Sequence, residues 1–571
     1  MNLHLRAAAL LPALAIAFSL TAQGGEEYYI NSIYDPELRN VEKIDIRPVP
    51  IDTILPAKAI DYRMLTVRGE VPVRVDSIDA AKLNIQLAQQ KLYKGHVKAG
   101  FGLFTTPLAE IYYDQTRSRT NAYGIHYKHM SSNGGLADVG PSDYSFNSAD
   151  AFYNAYLKHH EVGGRFLYDR RRVSYYGYTS TDSLENLILV SPQPPDDYRK
   201  QIYNDIGFAA HLKSLYKDST KLAHDVGLEV HSYSNLTGSR EMNFRLTADL
   251  AMEQGAETYG GTLLIDNNAY RADLGAAGEM RQSGTLIGLS PHVLTRGDKY
   301  EVRVGAGIFI DAMDKTTFHF YPQAYAHYRL FDDILVPYVG VDGRRERNSL
   351  RSLTRENPWL NGSPLLVNRS LMYDLYGGLR GSFSKDLGFD VRISQSRVKG
   401  KALFINTPVQ YQGVTYGDQF TIAYDQVDQL DISGEIRYAL HEQINVHGRA
   451  DIYSYGTDAQ AEAWNLPPYK LALGAVYDFQ DKLLVKVDAE FLGPRKGVTR
   501  TPGLSEEQTL ATQVVHDLSG YMDLHLGLEY RYTKRLSVFL DASNLSASKY
   551  ERWSNYKVQR GLVLGGATFS F

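Results

Sequence analysis

The sequence contains no cysteine. That excludes disulfide staples, thiolate metal sites and a lipid-modified N-terminal cysteine. Beyond the first two dozen residues no apolar run approaches the eighteen or so that a membrane helix needs, which excludes an inner-membrane helix bundle. Charge of one sign is also lacking. Lys and Arg number 61 against 65 Asp and Glu, a net charge of −4, and a nucleic-acid binder should instead show a basic footprint. Tryptophan is scarce, at three residues. Catalytic signatures are lacking too: the chain has no His-Glu-x-x-His, no Gly-x-Ser-x-Gly elbow and no phosphate loop. Asp523 and His525 alternate on one strand face, but so do many other polar residues, and scattered histidines such as His126, His211, His231 and His447 read as wall lining. We therefore expect no enzyme activity, no cofactor and no resident metal.

What is present points to export and to strands. Residues 1–24 read as a signal peptide: Arg6, an apolar run from Ala7 to Leu20, then small residues near Ala22 and Gly24. Residues 25–93 carry Pro36, Pro48 and Pro50, a strand-like stretch from Met64 to Val75 and a helical one from Ala80 to Lys94. This stretch is expected to be a periplasmic or lumenal segment and a candidate reduced plug. From Gly95 onward, period two dominates. In Tyr521 to Tyr532, Met522, Leu524, Leu526 and Leu528 oppose Asp523, His525, Gly527 and Glu529. The same alternation recurs in 301–311, 444–452, 371–380 and 483–491. Strands of nine to twelve residues cross a bilayer when tilted. Mean hydropathy is only −0.32, as expected when half of every strand faces a wet lumen. The 42 tyrosines suit headgroup belts, each having an apolar body and a polar tip.

The connections favour a barrel over a sandwich. Tight turns such as Arg296-Gly-Asp298, Ser384-Lys-Asp386 and Gln480-Asp-Lys482 alternate with long connections at 131–149, 179–199, 347–369, 456–468 and 492–518. Short turns at one end and long loops at the other mark a transmembrane barrel with the short ends periplasmic. With that parity enforced, strands begin near residues 95, 107, 120, 148, 162, 200, 222, 240, 257, 283, 299, 316, 334, 370, 387, 417, 443, 469, 483, 519, 535 and 560. The expected fold is all-β: a transmembrane antiparallel barrel of about 22 strands over residues 94–571, with a short N-terminal extension. The first strand should close against the last, which ends on Phe571, and the aromatic terminus should serve the barrel-assembly machinery during insertion.

The last 36 residues carry Asp541-Ala-Ser-Asn-Leu545, Lys549-Tyr-Glu-Arg-Trp553 and Gly565-Gly-Ala-Thr-Phe-Ser-Phe571. With Gly100 to Pro107, Tyr123 to His129 and Arg344 to Pro358, they resemble TonB-dependent receptors of Bacteroidota type. The resemblance spans about residues 94–571 and implies a 22-strand outer-membrane barrel acting in transport. It also implies a plug of over a hundred residues and an energy-coupling box, but only about 70 residues precede this barrel. A partial plug from 25–93, lumenal side chains and loops, or another protein could each fill the lumen.

Two sets of residues stand out as candidate sites. Trp359, Trp464, Tyr550 and Trp553 lie in long loops and include all three tryptophans; exposed loop aromatics anchor sugars or proteins. Arg303, Glu435, Arg437, Arg449, Asp451, Glu529 and Arg531 alternate opposite charges on inner faces, as a stiffening lumen wall or a polar conduit would. Expected partners are outer-membrane lipids, the barrel-assembly machinery and periplasmic or surface proteins, with no nucleic acid. Two functions remain: transport or uptake across the outer membrane, or a non-transporting scaffold barrel that binds envelope proteins.

Overall fold

A computed structural model of the chain describes residues 93–136, 139, 141–177, 196–275, 278–331, 334–411, 414–415, 418–501 and 512–571. The expected signal peptide at 1–24, residues 25–92 and most of the 179–199 connection lie outside them. The strands of the barrel are β1 (Gly95–Gly102), β2 (Thr106–Gln115), β3 (Asn121–Ser132), β4 (Tyr144–Tyr156), β5 (His160–Ser174), β6 (Lys200–Ser214), β7 (Ala223–Asn235), β8 (Arg240–Gln254), β9 (Glu257–Asp273), β10 (Glu279–Arg296) and β11 (Tyr300–Ala312). They continue as β12 (Thr316–Tyr328), β13 (Leu335–Glu346), β14 (Arg369–Ser382), β15 (Leu387–Thr407), β16 (Gln419–His441), β17 (Ile444–Thr457), β18 (Tyr469–Phe479), β19 (Leu483–Leu492), β20 (Tyr521–Arg531), β21 (Leu536–Ser543) and β22 (Leu562–Ser570). Each pairs antiparallel with its neighbour in sequence, and β22 pairs back onto β1, so the sheet is a closed ring of 22 strands. Closure leaves no unpaired edge in contact with lipid.

Side-chain alternation sets the two faces. On β6, Ile206 and Phe208 are exposed while Tyr203 and Asp205 are buried. Val391 and Ile393 on β15, Ile432 and Ile436 on β16, and Val538 and Leu540 on β21 extend the same outward apolar band. This protein is an outer-membrane barrel whose strands alternate lipid-facing and lumen-facing residues, interrupted where bulges shift the register. Connections at the end holding both barrel termini span two to eight residues, and the long ones lie at the other end.

The seam between β1 and β22 is glycine-rich because the backbones approach closely. Gly100 faces Gly566, and a Cβ on Gly566 would fall 2.1 Å from the Ala99 carbonyl oxygen. The connection from β1 to β2 is a tight outer turn, with Phe104 and Thr105 both at positive φ. The two longest strands, β15 and β16, slip register once. Lys399 and Gly400 on β15 bulge opposite Gln426, with Gly400 at φ +73.

One expected loop is folded otherwise. The 492–518 connection contains a hairpin, Arg495–Thr501 with Thr512–Leu518, joined to β15 by a single parallel bridge from Thr499 to Asn406. Its residues 502–511 lie outside the described ones. The barrel strands β15 and β16 have 21 and 23 residues, about twice what crosses a bilayer. Their outer halves carry this hairpin and a small core of Leu403, Ile405, Trp464 and Val498.

Candidate functional site

Between β13 and β14 the chain turns inward instead of outward. The first part forms a short helix, α1 (Leu350–Glu356), begun by a capping box. Ser352 N donates to Ser349 Oγ at 3.0 Å and Ser349 N to Ser352 Oγ at 2.9 Å. Asn357 N–H closes the helix onto the Leu353 carbonyl at 2.9 Å, and Pro358 prevents its continuation. Seven residues are too few for a self-sustaining helix, so packing must hold it, and Leu350, Leu353 and Thr354 are buried. Residues 359–361 then pair with Phe420 on β16, through Phe420 N to the Trp359 carbonyl (3.0 Å) and Asn361 N to the Phe420 carbonyl (2.7 Å).

The barrel wall meets this segment with tyrosines. Tyr203, Tyr233 and Tyr270 are each 1% exposed and join Leu350, Leu353, Leu360, Leu366, Phe420 and Tyr556 in one core. Burying a phenol requires a partner for its hydroxyl. Tyr203 donates to the Pro358 carbonyl at 3.0 Å, and the Tyr233 hydroxyl lies 2.6 Å from Thr354 Oγ1. The Trp359 indole stacks on Tyr556 at 4.3 Å and donates to the Ser174 carbonyl at 3.1 Å. Tyr556 in turn donates to the Asp418 carbonyl. Residues 347–368 thus bridge the inner faces of β5–β11 to β16 and to the 544–561 loop.

Buried acids pin the same segment. Glu241, 3% exposed, accepts from the amide of Leu350 at 2.6 Å and from that of Arg351 at 3.4 Å, where a helix start favours negative charge. Asp205, 1% exposed, accepts from Arg351 Nε at 2.6 Å and Arg355 Nη2 at 3.0 Å, with His231 Nδ1 at 2.9 Å. Asp266 accepts from Arg347 Nε at 2.6 Å and Arg245 Nη2 at 2.7 Å. Asp311 accepts from Arg345 Nη2 at 2.8 Å and from Asn368. Burial, then the neighbouring Arg351 charge, pull the Arg355 pKa below its ordinary value, and Asp205 opposes them. Buried carboxylates of this kind persist only when paired. Sequence reasoning missed all four acids. One available signal was the pair Arg351 and Arg355, whose spacing of four places two guanidiniums on one face of α1.

Beside this segment lies a cavity of about 320 Å³, lined among others by Tyr176, Trp359, Asp523, Asn544, Tyr550 and Arg552. Tyr550 stacks on Tyr521 with centroids 3.7 Å apart and donates its hydroxyl to Asp523 Oδ2. Burial, then that hydrogen bond, push the Tyr550 phenol well above its usual range. The other Asp523 oxygen is buried without a hydrogen-bond partner among the described residues, and His525 Nε2 stands 3.4 Å from it.

Two of the four candidate aromatics, Trp359 and Tyr550, meet at this cavity; the other two do not. Trp464 is 3% exposed and donates to Gln460 at 3.1 Å, so the surface exposure expected of it is absent. Its indole anchors the satellite core instead. Trp553 sits edge-on to Phe404 and Phe420 at 5.1 and 5.6 Å and is part of the packing.

The candidate lumen charges separate by reach. Residues i and i+2 on one strand face are about 6.6 Å apart, so a long arginine can take either its own strand's acid or a cross-strand neighbour. Arg437 takes Glu435 at 2.6 Å and Arg449 takes Asp451 at 2.9 Å. Arg531 reaches across to Asp478 at 3.2 Å rather than to Glu529, and Glu301 is held by Arg296 at 2.9 Å rather than by Arg303. Arg531 and Glu529 line a groove at the periplasmic rim, and Glu435 and Arg437 line another.

No protein-family model matches the chain, and no curated protein matches it in sequence. Solved structures do match in fold. The FrpB iron transporter from Neisseria meningitidis aligns with TM-score 0.62 at 9% identity, over 85% of this chain and 82% of that one. The pyoverdine outer membrane receptor FpvA from Pseudomonas aeruginosa PAO1 aligns at 0.58 and 13%, over 84% and 79%. The copper transporter OprC aligns at 0.60 and 10%, over 84% and 81%. These are receptors and transporters, and the fold shared with them is that of TonB-dependent receptors, as the C-terminal residues suggested.

Proposed function

We propose that this barrel takes up a ligand across the outer membrane and that the cavity beside Trp359 and Tyr550 is where the ligand is first held. The observation that carries this reading is the cavity's make-up. Trp359, Tyr176 and Tyr550 line it together with a carboxylate, Asp523, one of whose oxygens is buried without a hydrogen-bond partner among the described residues. A few polar groups set among aromatic walls are the usual composition of a small-molecule site. The lumen-facing charges Arg303, Glu435, Arg437, Arg449, Asp451, Glu529 and Arg531 would line the path below. The resemblance to transporters and receptors in fold supports uptake as the class of activity without naming a substrate.

The test is growth of a strain carrying Trp359→Ala/Tyr550→Ala on panels of single carbon, metal and cofactor sources, compared with wild type and with a full deletion. A source on which the deletion and the double variant both fail supports the reading. If the deletion fails on some source and the double variant grows as wild type, the cavity is not the ligand site. The dry core between 347–368 and the wall favours a second reading, a closed scaffold barrel. That reading predicts no growth defect on any source and stable co-purification with envelope proteins. Residues 25–93 are addressed separately: deleting them and measuring leakage of a large antibiotic reports whether they restrain passage, and leakage rises if they act as a reduced plug.

A further inference from the structure

We propose that residues 347–368 are a displaceable gate at the outer end of the barrel, released by occupancy of the cavity beside them. The segment is built unlike a surface loop. It folds inward from the outer ends of β13 and β14 and reaches Asp205, the sixth residue of β6 from its outer end, about 17 Å along the strand. It carries its own capped helix and contributes buried leucines to a core shared with the wall. Its grip has two parts. The ion pairs to Asp205 and Asp266, the Asn368 hydrogen bond to Asp311 and the Glu241 contact to the helix start involve groups of the segment that leave together if the segment leaves. The stack of Trp359 on Tyr556 ties it to the 544–561 loop.

That second tie gives the gate a trigger. Pro358 and Trp359 belong to the segment and also line the cavity, and Pro358 accepts from Tyr203 on the wall. A ligand that competes for the Trp359 ring face therefore acts directly on the segment. A ligand can shift such an equilibrium only through different contacts in the two states, and Trp359 supplies that difference. The trigger rests on the cavity being the ligand site; the gate itself does not.

The absence of cysteine makes the test clean. In the full chain, Thr354→Cys places a near-isosteric thiol at a position that is 0% exposed. A membrane-impermeant maleimide applied to intact cells then reads how often the segment undocks. Adding Asp205→Asn and Glu241→Gln should raise the labelling rate at least tenfold, with heat-modifiable migration on gels confirming an intact barrel. The second arm is conductance in planar bilayers. The Asp205→Asn/Glu241→Gln chain should conduct at least tenfold more often than wild type. A Thr237→Cys/Gly362→Cys pair added to it should silence it when oxidised and restore it on reduction. A Cβ on Gly362 would stand 2.9 Å from that of Thr237, so a shift of about 1 Å reaches disulfide spacing. Unchanged labelling in an intact barrel overturns the proposal, because the segment is then fixed. Labelling that rises while conductance does not, or conductance that ignores the oxidised pair, overturns it as well, because the segment is then not what closes the barrel. Neither arm uses a ligand. A barrel that opens on loosening yet supports growth on no additional source would refute uptake and leave the gate standing.

Discussion

Asp205 and Glu435 are both lumen-facing carboxylates held by arginine, yet their surroundings differ. Asp205, near the outer end, is 1% exposed and takes Arg351 and Arg355 from a segment that crosses toward it. Glu435, toward the periplasmic end, is 30% exposed, and its partner Arg437 is 78% exposed on the same strand. Distance alone would rank them equal, at 2.6 Å in each case. What separates them is water and the length of chain brought together. The first pair joins residues 146 apart in sequence across a dry contact, whereas the second joins neighbours in a wet wall. The same chemistry organises tertiary structure at one end and contributes little at the other.

Four measurements would break or sharpen this contrast. The largest effect is expected from Asp205→Ala, which leaves Arg351, Arg355 and His231 facing one another. Losing one partner of a buried network costs about 3–5 kcal/mol, so labelling at Thr354→Cys should rise by about 10²–10³-fold. A rise under threefold would place Asp205 on the same footing as Glu435. Next is Leu360→Ala. Leu360 is 0% exposed, and truncation should cost about 2–4 kcal/mol of docking, read by the same labelling. Third, Tyr233→Phe removes only the hydroxyl that meets Thr354 Oγ1 and should cost about 1 kcal/mol, roughly fivefold in labelling, read at the buried neighbour Leu353→Cys so that Thr354 keeps its hydroxyl. The smallest effect is expected from Arg437→Ala, under about 1 kcal/mol in the temperature of heat-modifiable migration. High salt should imitate this last change in the wild type, because at 1 M the screening length falls to about 3 Å. It should leave the Asp205 network untouched.

The barrel was legible because each strand reports its own period. All 22 strand starts fall within four residues of the positions read from alternation. The outer end was not legible, for a physical reason. Trp464, Trp553 and Tyr556 sit among Asn, Ser and Pro, and in the linear sequence they look like surface loop aromatics. Trp553 and Tyr556 pack on Phe404, Phe420 and Leu360 and Trp464 on Leu403, Ile405 and Val498, all distant in sequence from the residues they cover. Asp205 and Glu241 alternate with apolar neighbours just as Glu529 does, and nothing local tells a dry acid from a wet one. The hairpin 495–518 was read as loop because Pro494, Gly497, Pro502 and Gly503 punctuate it too densely for a period to show.

The glycine seam has a consequence for how this protein comes into being. His96 and Ser570, hydrogen-bonded across the seam at 3.0 Å, are 474 residues apart in sequence. The ring is therefore sealed by the two barrel strands that emerge from the ribosome earliest and latest. Until β22 arrives, β1 has a bare edge, and the nascent sheet must be kept from other strands for the whole interval. Gly100 and Gly566 then let the two backbones come flush without a side chain to clear. Of the strand pairings in the ring, the seam joins the residues farthest apart in sequence.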